Sequence, residues 1–166
     1  MPAHPPTAVL DAEHVRFVEG AASIIVASRN AANMPELVRA QGCRVSRDRS
    51  RVQLFVQASQ AQALFDDLRR NGRIAVVFTS PSTHRSLQLK GDDASIAPAR
   101  PADAARVAAY RAAMVAELGG IGISEALVRA LLAGDDATLS VVAFTPAAAF
   151  VQTPGPDAGR PLEPAP

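Results

Sequence analysis

A chain of 166 residues with formal net charge +1, 48% hydrophobic and 20% charged residues, has the length of one domain and enough apolar material for its own core. The balanced charge and 4% aromatic content exclude a basic nucleic-acid binder with stacking platforms, and the apolar fraction excludes a disordered chain. No apolar run is long enough to span a bilayer. The lone Cys43 permits no intrachain disulfide, which fits a reducing, cytoplasmic setting. Pro-rich Met1–Thr7 lacks an apolar signal core.

In chain order, residues 1–10 read as a flexible tail, 11–151 as the domain, and 152–166 as an extended Pro/Gly-rich tail. Asp11 is placed to cap a short helix ending near Val18. Ser23–Ser28 is a buried-strand run, and Asn30 and Asn33 suit the turn after it. A second strand is expected over Leu37–Ala40, continuing through Cys43–Val45 past a bulge at Gly42. Val52–Val56 alternates as a third strand. Ser59 and Gln62 have the spacing of a capping box for a helix that ends at Asn71-Gly72.

Ile74–Phe78 is apolar throughout and reads as a central strand. Arg85–Lys90 alternates, with Leu87 and Leu89 on one side and Ser86, Gln88 and Lys90 on the other. Ala94–Ile96 reads as an extension of that strand toward Pro98. Helices are expected from Pro101 to Leu118 and after Ser124, separated by Gly119-Gly120-Ile121-Gly122. Leu139–Phe144 is the last strong strand, with a resumption at Phe150-Val151. Six strands joined mostly by hairpin-length turns predict a mainly β fold, a six-stranded antiparallel barrel with peripheral helices.

No residue constellation for nucleophilic or metal chemistry is present. His4, His14 and His84 are scattered, without ligand spacing. Cys43 lies in a strand-like run and reads as a small core thiol. The glycines of 119–122 neither follow a strand nor precede a Walker lysine, so they read as a helix end. The informative groups are arginines on strands. Arg39 and Arg44 stand five apart across Gly42, and Thr79, Ser80, Ser82 and Thr83 supply hydroxyls beside Arg85. Such groups suit either an anion site or a solvated sheet face.

The stretch Ser23–Ile96 resembles the pyridoxamine 5'-phosphate oxidase-like, FMN-binding split-barrel superfamily. The landmarks are Ser-Ile-Ile-Val-Ala-Ser, Met34-Pro35 ahead of the strand bearing Arg39, the helix end Leu68–Arg73, and Thr83-His84-Arg85-Ser86-Leu87-Gln88-Leu89-Lys90-Gly91, similar to the family's Arg-Gln-Val strand. The resemblance implies a split barrel, a homodimer and FMN at the subunit interface. It also implies a small-molecule oxidoreduction in which the cofactor carries the chemistry. It assigns Arg39 and Arg44 to the flavin phosphate, Ser86 and Gln88 to the ring edge, and Thr83 and Arg85 to the substrate side.

The family's Ser-x-Lys is missing at Ser59-Gln60-Ala61, and there is no Trp. The arginine-rich C-terminal substrate motif is also absent, so a true pyridoxamine-phosphate oxidase is not expected. A flavin- or haem-binding module of the same barrel, without turnover, is the alternative, as is a cofactor-free dimeric scaffold; haem and a deazaflavin are the alternatives to FMN as cofactor.

Overall fold

A computed structural model describes residues 10–163. Eight strands form one antiparallel sheet: β1 (Ser23–Arg29), β2 (Pro35–Val45), β3 (Val52–Gln57), β4 (Ile74–Thr79), β5 (Ser86–Gly91), β6 (Ser95–Pro98), β7 (Leu139–Phe144) and β8 (Ala148–Val151). Their order is β6-β7-β3-β2-β1-β4-β5-β8. Four helices accompany them: α1 (Ala12–Glu19), α2 (Gln62–Asn71), α3 (Asp103–Gly119) and α4 (Glu125–Leu131).

The expected six-stranded barrel is therefore corrected to eight strands in an open ladder. The segment expected to prolong β5 is a separate strand, β6, at the far edge against β7. The resumption after Pro146 is also separate: β8 pairs with β5. The ladder is open, yet the sheet is rolled. β7 and β8 stand six places apart, about 29 Å if the sheet were flat. The chain between them, residues 145–147, reaches only about 14 Å. Residues 92–94 impose the same limit between β5 and β6. At the closing point Gly91 leaves no room for a side chain: a Cβ there would lie 2.7 Å from the Phe144 ring and 2.8 Å from the Thr145 carbonyl oxygen.

Strand alternation sorts the side chains. Ile24, Val26, Leu54, Val56, Val76, Phe78, Leu87 and Leu89 point inward and share one buried core. Asp11 caps α1 as expected, accepting from the His14 amide at 2.8 Å. Ser124 likewise caps α4, accepting from the Leu127 amide. The capping box at Ser59 does not form. Residues 58–60 make a single tight turn, α2 starts at Gln62, and the Gln62 side chain donates back to the Ala58 carbonyl at 2.9 Å.

The first ten residues lie outside the described part of the chain, except Leu10, which is buried in the core. The segment after Gln152, expected to extend, instead folds back along the edge strand. The Val151 and Leu162 amides donate to the Arg160 and Ala149 carbonyls, and the Ser86 amide donates to the Thr153 hydroxyl.

α3 seals part of the outer surface. Its Val107 packs with Phe55, Leu139 and Val141 in a second apolar cluster. The approach depends on the β2 bulge between Ala40 and Cys43, where Gly42 adopts φ +136°. A Cβ on Gly42 would press at 3.3 Å on the Phe55 ring and 3.6 Å on Tyr110.

Candidate functional site

Among the described residues no helix covers the other part of the outer surface. It is built from β2, β1, β4, β5 and β8, whose registers place side chains in rows across the sheet. Arg39 lies across from Ile25, Ile25 from Val77, Val77 from Gln88 and Gln88 from Phe150. The next row reads Leu37, Ala27, Ala75, Lys90 and Ala148. A third, above them, sets Ser23, Thr79 and Ser86 side by side. These residues are half-buried or exposed, with Leu37 at 60% exposure.

Of the sequence-derived site residues, Arg39, Ser86 and Gln88 come together here. The bulge at Gly42 turns Arg44 to the same side of β2 as Arg39, because it absorbs one residue of the alternation. Their surroundings differ, however. Arg39 donates to the Ser23 hydroxyl at 2.8 Å, and among the described residues no carboxylate pairs with it.

Arg44 lies under α3. It bonds Asp103 at 2.7 Å and Gln53 at 2.6 Å, and its guanidinium sits 5.5 Å from the Phe55 ring centroid. Burial of Asp103 works against its charge, but hydrogen bonds from the Arg100 amide and the Arg44 guanidinium outweigh that. Its carboxyl is held below the usual range.

Ser86 is 3.0 Å from the Thr79 hydroxyl, and Gln88 accepts from Gln152 at 3.4 Å. Arg85 points away from this face, toward α1: it pairs with Glu13 at 3.0 Å and stacks 4.6 Å over Phe17. Thr83 is exposed on the β4–β5 hairpin, beside His84 at φ +62°. Glu117 of α3 holds that hairpin, accepting from the Ser82 hydroxyl and amide and from the Ser80 hydroxyl. The same bonds lower the Glu117 pKa.

Cys43 is buried on the inner side, and burial, with Glu19 adding to it, pushes its thiol well above the ordinary range. It packs as a core side chain, in an environment that disfavours the thiolate. Among the described residues no three His, Cys, Asp or Glu side chains converge as a metal site, and no helix is long and apolar enough to cross a membrane.

The lower end of the uncovered face holds a cavity of about 580 Å³ that the sequence reading did not find. Arg29, Arg73 and Lys90 line it together with Asp92, over a floor that includes Ala27, Ala75 and Pro35. Arg29 reads in sequence as the start of a turn, and Arg73 as the end of a helix. Only the pairing of β1 with β4, more than forty residues apart in the chain, brings them together.

No family model and no curated protein matches the sequence. Solved structures do match. HupZ of Group A Streptococcus is 15% identical with a TM-score of 0.54, over 90% of this chain and 100% of that one. A candidate pyridoxamine 5'-phosphate oxidase of Lactobacillus delbrueckii is 15% identical with a TM-score of 0.54, over 89% of this chain and 98% of that one. An F420 reductase is 13% identical with a TM-score of 0.53, over 84% and 98%. At such identities the likeness is one of fold, and the fold of this chain is that of the pyridoxamine 5'-phosphate oxidase-like proteins.

Proposed function

We propose that this chain is a flavoprotein that holds an FMN-type flavin on the uncovered face of β2, β1, β4 and β5, in the service of a small-molecule oxidoreduction. The observation that carries this reading is the row Arg39, Ile25, Val77, Gln88, in which a half-buried guanidinium with no carboxylate partner among the described residues stands at the end of an apolar floor. A planar ring with a polar edge and a phosphate asks for that combination: a floor to lie on, amide and hydroxyl groups at its rim, and a cation.

In this reading Arg39 holds the phosphate, and Gln88 and Ser86 hydrogen-bond the ring edge. Arg44, committed to Asp103, positions β2 under α3. A bound flavin supplies hydride or electron transfer, so no side chain need act as a base. A second copy of the chain is proposed to close over the face, completing the site as a homodimer. The neighbour named as an F420 reductase is consistent with a flavin-like ligand on this fold.

The test is a titration of purified protein with FMN, followed by quenching of flavin fluorescence, for the wild type and for Arg39→Gln. Saturable binding weakened about tenfold by the substitution is the expected result, the loss of one charge-assisted bond. A colourless protein that ignores FMN would leave the scaffold reading standing. A Soret band in the purified protein would replace the flavin with haem.

A further inference from the structure

We infer that the cavity at the lower end of the uncovered face is an oxyanion site, built to take the dianionic group of a small organic molecule. The inference does not depend on a flavin. It rests on three cations that the fold places at one corner and that, among the described residues, form no ion pair.

Ala27 lies across from Ala75 in the last pair of β1 with β4, and Arg29 and Arg73, just beyond that end of the ladder, line the same cavity. Charges of one sign gathered around one cavity oppose each other. Lys90, across from Ala75, adds a third positive charge to the same side of the sheet. Among the described residues none of the three pairs with a carboxylate. Their recorded partners are neutral. Arg29 donates to the Asn33 side-chain oxygen, and the Lys90 ammonium lies 5.1 Å from the Phe150 ring centroid.

Asp92, also on the wall, offsets one charge, so an excess of two remains. That excess matches a phosphate monoester, which carries about −1.5 to −2 at neutral pH, or a dicarboxylate. Two guanidinium forks from adjacent strands can each present paired N–H donors to such an oxyanion.

The floor of Ala27, Ala75 and Pro35 is apolar, so the ligand must have an apolar body as well as its charged group. A volume of about 580 Å³ is that of a small-molecule site, larger than a lone ion needs. The corner is four residues along β1 from the Arg39 row, about 13 Å. A ligand held there by its dianion lies on the same face as the proposed flavin, where a reaction partner would be.

The inference is tested by calorimetric titration of the full chain with phenyl phosphate, phthalate, benzoate and inorganic phosphate, with and without FMN. Phenyl phosphate or phthalate is expected to bind at least tenfold more tightly than benzoate, and whichever of the two is preferred identifies the oxyanion. Inorganic phosphate should bind more weakly than phenyl phosphate.

Arg73→Gln and Lys90→Gln alter exposed side chains and should each weaken binding about tenfold, whereas Asp92→Asn should strengthen it. Arg39→Gln should leave it unchanged while weakening FMN, so the two sites fail separately. No binding at millimolar probe would overturn the inference. So would binding indifferent to all three wall substitutions, or benzoate binding as tightly as the dianions.

Discussion

Two halves of one sheet present their outer sides differently. Under α3, the outer face of β3, β7 and the end of β2 is sealed by Val107 on Phe55, and its arginines are answered: Arg44 by Asp103, Arg111 by Asp136 and the Gln41 side chain. On β1, β4 and β5 the same alternation produces an apolar centre, but the cations around it, Arg39, Arg29, Arg73 and Lys90, have no acidic partners among the described residues. A protein that neutralises its arginines where a helix covers them, and leaves them unanswered where none does, has spent the first group on its own fold. The second group is available to something else.

The comparison breaks most visibly at Phe55. Phe55→Ala removes a fully buried ring from beneath α3, and a loss of about 3–5 kcal/mol is expected in urea unfolding. Val77→Ala, half-buried at the centre of the uncovered face, should cost less than about 1.5 kcal/mol in the same assay. Equal losses would mean that the two halves are not distinct.

Next in size is Asp103→Asn. The Asp103 side chain is inaccessible but Arg44 is 23% exposed, so the loss should fall below that of a wholly buried pair, at about 2 kcal/mol near neutral pH. The sign of its pH dependence follows from the lowered carboxyl pKa. The stabilisation is complete above the ordinary carboxylate range near pH 4 and is lost as pH falls through the lower folded-state value. Wild type and variant should therefore converge in stability on acidification. A gap that stayed constant across the whole acid range would assign the effect to packing instead of charge.

What the sequence disclosed and what it hid divide along the same line. Local alternation was enough for the two faces of β5 and for the bulge at Gly42, since each is written in consecutive residues. Ala94–Ile96 and Phe150-Val151 read as strand, but their standing as the separate edge strands β6 and β8 was hidden, because four residues carry little periodicity and their partners lie far along the chain. Ser59 and Gln62 had the right spacing for a cap, but the chain prefers a tight turn there and the Gln62 amide goes to Ala58.

At the site, Arg39, Ser86 and Gln88 were legible as the polar members of strands. The fate of Arg44 was not, because Asp103 is 59 residues away. The Arg29–Arg73 corner was hidden for the same reason: it exists only once non-consecutive β1 and β4 pair.

The smallest expected effect is the most discriminating. Removing a cation from the covered half disrupts a satisfied network, but removing one from the lower corner relieves like-charge opposition. Arg73→Gln should therefore change stability by no more than about 0.5 kcal/mol, and in the stabilising direction at low salt. Added salt should raise the wild-type melting temperature and narrow its difference from the variant, because screening at a Debye length of about 8–10 Å already weakens the repulsion. Arg44→Gln should behave oppositely, destabilising at every salt concentration, since its pairing with Asp103 is shielded by α3. A destabilised Arg73→Gln protein at low salt would mean that Arg73 already has a partner in solution. The lower corner would then be another satisfied part of the fold, like the half beneath α3.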